Sequence, residues 1–287
     1  MLYRGMDRAQ LDAAYNNSAA VPERDAIVAG WAARSARVRR ECAGHLDLAY
    51  GDTPRERLDL FLAADPKGPT LGFIHGGYWQ MNNKENFAFF AEACFRSGSI
   101  SRLSNTRWHR PPGSTASSPR CAALCGGSPN ILVNTAPTRN RLYVSGHSAG
   151  GHLTSMTMPL AEVCGSIAIS SIYDLEPIRL NYLNEKLSLD AAEAERNSPV
   201  RHVPANAGEL VVAYGTRELP ELCRQSIEYA QAWTKRGLRG ARCRWMVTTS
   251  RPGRAGAPRG RSDASASGDA RPRPPAWPYL TPWPRRA

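Results

Sequence analysis

The sequence has 287 residues, 42% apolar and 22% charged, with 24 Gly and 22 Pro; that length can bury one large core or two small ones. No run approaches the 18 or so apolar residues of a membrane span. The start, Met1 to Asp7, lacks the apolar core of a signal peptide, and seven scattered cysteines without a CxxC pair argue against a disulfide framework or a zinc site. A soluble cytoplasmic protein is the expectation, with a net charge of +12 still to be placed.

In chain order, residues 6 to 42 are polar and helix-favouring, with Leu11 and Tyr15 four apart and Val28, Trp31 and Ala32 sharing a face. His45–Tyr50 and Arg57–Leu62 alternate like half-buried strands around the turn Gly51-Asp52-Thr53-Pro54. Thr70–His75 is a short apolar run that ends in Gly76-Gly77 and reads as a buried strand. Lys84–Ser97 follows as a helix, with Phe87, Phe90, Ala91 and Cys94 on one side.

From Ser99 to Asn140 neither period holds, so 99–140 is expected to be irregular, an unusual length for a compact domain. The pattern then resumes. Arg141–Ser145 reads as a strand and Ala149–Glu162 as a small-residue helix. Cys164–Ser170 and Leu210–Tyr214 are β-rich, with Cys164 a packing residue. Glu221–Arg236 is amphipathic, with Leu222, Ile227, Ala230 and Trp233 inward, and Cys243–Val247 begins a last strand. Strands alternating with helices imply an α/β fold, a mostly parallel sheet with helices on both faces. The domain is placed at 1–247, locally disrupted over 99–140. The proline-rich tail 248–287 is expected to be disordered.

The charge follows the same division. Ser99–Asn140 carries Arg102, Arg107, Arg110, Arg120 and Arg139 and no acid, while Arg251–Ala287 sets eight arginines against Asp263 and Asp269. These stretches hold +11 of the +12, so the rest is nearly neutral. No basic helix or aromatic stacking motif accompanies them, and a nucleic-acid partner is not expected.

Two motifs carry chemistry. Gly146-His147-Ser148-Ala149-Gly150 is a G-x-S-x-G match between a predicted strand and a predicted helix, where a tight turn lifts a serine hydroxyl above the sheet edge. His75-Gly76-Gly77-Tyr78-Trp79 ends an earlier strand. Its adjacent glycines free backbone N–H groups to face a carbonyl, so Gly76, Gly77 and the N–H of Ala149 are the candidate oxyanion hole. No metal-ligand spacing or phosphate-binding loop is present, and neither metal nor cofactor is expected.

HGGYW followed by GHSAGGHL resembles the esterase–lipase branch of the α/β-hydrolases, and in detail the kynurenine formamidase (arylformamidase) group. Tyr15-Asn16-Asn17, Ser170–Asp190, Asn197-Ser198-Pro199 and Tyr214–Trp233 extend the resemblance over 1–98 and 141–247. It implies hydrolysis of an N-formyl aryl amide, such as N-formylkynurenine, to formate and amine. In that reading Ser148 is the nucleophile and Glu218 the triad acid. Asp174 is the competing acid, read as structural, and His75, His147 and His152 have no triad role. The alternatives are a carboxylesterase on small aryl or alkyl esters and a catalytically silent ligand-binding relative. The partner is a small aryl formamide or ester, and the oligomeric state is not readable.

The departure lies in the base. In this fold the triad histidine follows the acid, yet none of His45, His75, His109, His147, His152 and His202 follows Glu218. Where the resemblance calls for a histidine loop, the chain reads Thr248-Thr249-Ser250-Arg251-Pro252. Both departing segments begin abruptly and share one Arg/Pro/Gly/Ser/Ala bias, as out-of-frame translation of a GC-rich gene would give. Without the strand and helix expected at 99–140, the neighbouring strands lose a partner and the chain is expected to aggregate.

Overall fold

The computed structural model describes residues 1–51, 54–62, 68–96, 100–104 and 141–245. The chain opens with helices α1 (Arg8–Ala14), α2 (Asn17–Ala20) and α3 (Arg24–Glu41). Asp7 starts α1 with a capping box. Its carboxylate accepts from the Gln10 N–H while the Gln10 side chain returns the bond at the Asp7 N–H, which satisfies donors that a helix start leaves unpaired.

Strands β1 (Gly44–Ala49), β2 (Arg57–Phe61), β3 (Thr70–Ile74), β4 (Ile100–Ser104), β5 (Leu142–His147), β6 (Val163–Ile169), β7 (Glu209–Gly215) and β8 (Gly240–Trp245) build one sheet. Their order is β1-β2-β4-β3-β5-β6-β7-β8. β2 runs antiparallel to β1 and β4, and every pairing from β4 to β8 is parallel. Parallel neighbours need crossovers. A 3-10 segment (Lys84–Phe90) and α4 (Ala91–Arg96) lead from β3 to β4, and α5 (Ala149–Met156) leads from β5 to β6. Three short helices, α6 (Glu176–Arg179), α7 (Asn184–Leu187) and α8 (Ala191–Arg196), lie between β6 and β7, and α9 (Pro220–Lys235) precedes β8.

Consecutive residues of a strand face opposite sides of the sheet. Phe73 packs with Val38, Phe87 and Ala91, whereas Ile74 joins the larger cluster of Leu11, Val144, Leu153 and Trp233. Both faces of β3 are therefore buried, as a parallel sheet requires.

Two boundaries correct the sequence reading. Residues 100–104 are not irregular: their backbone pairs with β2 on one side and β3 on the other. Five residues without alternation give no periodic signal, and the ladder on either side supplies the pairing. Residues 105–140 and the tail 248–287 lie outside the described residues. The helix expected over Ala149–Glu162 stops at Met156, just before Pro159, whose ring disfavours helical backbone at the residue ahead of it.

Candidate active site

β3, β5, β6 and β7 are successive neighbours in the sheet apart from direction changes further out. Gly76 follows β3, Ser148 follows β5, Ser170 follows β6 and Glu218 follows β7. All four lie at one rim, outside the carboxyl ends of the parallel strands, where this architecture forms its crevice.

Ser148 sits between β5 and α5 with φ 56° and ψ −120°. A serine in this left-handed region is strained and persists only where its surroundings hold it. Its N–H donates to Ile169 O at 2.8 Å, and its carbonyl accepts from His152 N at 3.1 Å and Ser171 Oγ at 3.2 Å. The hydroxyl makes no cap bond to α5. Close approach explains the small residues around it: a Cβ on Gly150 would overlap the Ile74 carbonyl, because α5 starts hard against the end of β3. The N–H of Ala149, first in α5, has no intrahelical acceptor.

The loop after β3 runs beside this turn. A Cβ on Gly76 would meet His147 O at 2.8 Å and Ser148 Cβ at 3.0 Å. Gly77 has φ 121°, open to glycine, and Tyr78, Trp79 and Asn82 also hold positive φ. The Gly76 carbonyl accepts from His75 Nδ1 at 2.7 Å, which puts the His75 proton on Nδ1, and from Asn82 Nδ2 at 3.2 Å. In a trans peptide the next N–H points opposite to that carbonyl. Pinning Gly76 O therefore fixes the direction of the Gly77 N–H.

Glu218 stands on the turn after β7. Its Oε1 accepts from Ser170 Oγ at 2.5 Å and from Gly215 N at 2.6 Å. Its Oε2 is buried and has no hydrogen-bond partner among the described residues. Desolvation by burial raises its pKa, partly offset by the Ser170 and Gly215 bonds. One oxygen is held by the protein and the other is presented unpaired, an arrangement suited to accept from an imidazole N–H.

No described histidine takes that position. His152 is buried on α5, donates from Nε2 to Asn197 O at 2.7 Å and meets Trp79 edge to face at 5.0 Å. Desolvation pushes His147 and His152 down to about 4. His202 is exposed and bonded to Glu195 O at 2.9 Å, and His45 is exposed on β1; His109 lies outside the described residues. Asp174, the competing acid, is committed elsewhere: it accepts from Tyr3 Oη at 3.1 Å, Arg201 Nη2 at 3.1 Å and Glu176 N at 3.1 Å.

The sequence reading gave no role to Ser170, Asn82 or Tyr78. Ser170 ends the β-rich run Cys164–Ser170 and opens the Ser170–Asp190 stretch of the resemblance, and neither signal marks its side chain as part of the site. Asn82 and Tyr78 act through partners that no local pattern announces. Among the described residues no cluster of His, Cys, Asp or Glu could hold a metal ion, and no helix is long and apolar enough to cross a membrane.

Sheet order, crossovers and the turn after β5 define the α/β-hydrolase fold. A Silicibacter structure described as a candidate thioesterase superposes with a TM-score of 0.69 at 26% identity, covering 82% of this chain and 90% of that one. Within that fold the chain is similar in sequence to the kynurenine formamidases. Kynurenine formamidase of Danio rerio is 29% identical over 209 residues, covering 68% of this chain and 70% of that protein. The Salmo salar kynurenine formamidase is 29% identical over 202 residues, covering 65% and 67%. No protein-family model matches the chain.

Proposed function

We propose that the chain is built as a serine hydrolase of the arylformamidase kind, cleaving N-formyl aryl amides such as N-formylkynurenine. Ser148 Oγ attacks the formyl carbon while a histidine takes its proton. The N–H groups of Gly76, Gly77 and Ala149 receive the developing oxyanion, a contribution of about 2.7–4 kcal/mol for each such donor. The C–N bond then breaks, the amine leaves with the proton, and water releases formate from the formyl-enzyme.

The observation that carries this reading is the placement at one rim of a strained, uncapped Ser148 and of Glu218, whose Oε2 has no partner among the described residues. Glu218 orients the base in this scheme, and no histidine follows it in the sequence. Turnover by this chain is accordingly expected to be low, because loss of one triad member removes most of the rate and leaves what binding and the oxyanion hole supply.

That same absence favours a second reading, a catalytically silent relative that still binds a small aryl ligand at the Ser148 rim. Fluorophosphonate labelling followed by peptide mass spectrometry separates the two. Slow modification confined to Ser148, and lost in Ser148→Ala, supports the hydrolase. Aryl formamide binding that is saturable and unchanged in Ser148→Ala, with no labelling, supports the binder. The same assay with a small aryl ester compares formamidase with carboxylesterase preference.

A further inference from the structure

We propose that Tyr15 is a positioning residue that ties the oxyanion loop to the acid-bearing side of the site. The proposal rests on the hydrolase reading of the Ser148 rim.

The link begins at Tyr78, which directly follows Gly77. Its hydroxyl donates to Tyr15 O at 2.6 Å and accepts from Asn17 Nδ2 at 2.9 Å. Tyr78 and Trp79 hold φ 47° and 57°, a region that non-glycine residues occupy only where the surroundings over-determine it. The bonds to residues 15 and 17 are such a restraint, placed one residue from the candidate oxyanion donor.

From the same residue the link runs the other way. The buried Tyr15 hydroxyl donates to Glu221 Oε2 at 3.2 Å and accepts from Gln225 Nε2 at 2.7 Å. Glu221 and Gln225 lie on α9, just beyond Glu218. Gln225 Oε1 in turn accepts from Tyr173 N at 2.6 Å and Asp174 N at 2.8 Å, fixing the loop that follows Ser170. One residue thus reaches the oxyanion turn through its carbonyl, and through its ring it reaches both segments that hold the acid.

Packing alone does not account for the pattern. α1 is docked independently by Leu11 in the core, by Asp12 Oδ1 accepting from Tyr182 N at 2.8 Å, and by Tyr3 on Asp174. Burial also pushes both phenols above their usual range, so both hydroxyls remain donors at any working pH.

Hydrogen–deuterium exchange on the full chain tests this with Tyr78→Phe and Tyr15→Phe, which remove only hydroxyls, and with the milder Asn17→Ala. In Tyr78→Phe and Asn17→Ala, amide exchange over 76–83 is expected to rise about fivefold to tenfold, with β5–β7 unchanged. Tyr15→Phe should loosen 171–176 and 218–226. Exchange over 76–83 that stays at the wild-type rate, or that rises uniformly across the sheet, overturns the proposal. Ser148 labelling should slow in step with exchange. Failure of the wild-type chain to label counts against the hydrolase reading alone, because exchange decides the link by itself.

Discussion

Ser170 shows how much one hydroxyl can do at this rim. Its Oγ donates to Glu218 Oε1 at 2.5 Å, and burial already raises the Glu218 pKa. A carboxylate whose folded pKa lies above its unfolded value of about 4.3 opposes folding when ionised. That penalty is full above the folded pKa and vanishes as pH falls below the unfolded one. Ser170→Ala removes a donor that favours the ionised form, so it enlarges the penalty. We expect a destabilisation of about 1.5–3 kcal/mol near pH 7, shrinking towards pH 4, read by urea unfolding at the two pH values. An equal loss at both would show that the bond is not to a charged group. Ser148, Gly76, Gly77 and Ala149 could be named as candidates from sequence because strand, turn and helix signals sit within a few residues of each. Ser170 and Tyr78 stayed silent because their partners are 48 and 63 positions away.

Among the elements, the 3-10 segment that follows the oxyanion loop is fastened by charge as well as by packing. Lys84 opens it and is buried, with Nζ bonded to Asp47 on β1, to Asp59 on β2 at 2.8 Å and to Glu85 at 2.7 Å. Arg39 on α3 also reaches Asp59 and Asp47. Two cations and three carboxylates therefore join two strands, a helix and the end of the loop. The Lys84 bond lowers the Asp47 pKa; at Glu85 burial pushes upward, and the Lys84 bond outweighs it only together with a backbone bond and the charges of Lys84 and Arg39. Depressed folded values mean stabilisation present above about pH 4 and lost as pH falls through the folded pKa. Lys84→Met leaves Asp59 buried with Arg39 as its remaining cation, a cost of about 3–5 kcal/mol at neutral pH. In thermal melts the gap from wild type should narrow below pH 4, and a gap independent of pH would mean lost packing instead. The alternating β2 and the aromatic face of residues 87–91 were readable as pattern. The ion cluster was not, because its members come from four separate segments. The same holds for β4, whose pairing is dictated by its neighbours' open ladders.

At the scale of the whole molecule, the charge divides the chain as the fold does. The described body is close to neutral, and the arginine excess belongs to 99–140 and 251–287, of which only β4 lies among the described residues. β4 continues the sheet through Ser104, so the first change of character is expected between codons 98 and 105. The second comes after β8, where a base would be needed for Glu218 Oε2, which has no partner among the described residues. If these segments are read out of frame, the other frames of the gene should encode a helix-periodic stretch across 105–140 and a histidine soon after codon 245. A chain rebuilt from those frames should hydrolyse aryl formamides about a thousandfold faster or more than the chain as given. It should also carry a lower net charge. Sequencing the gene and assaying the rebuilt chain decide the matter together. Two alternative frames that lack both the periodicity and the histidine would sink the frame argument, and with it the expectation that Glu218 ever orients a base in this lineage.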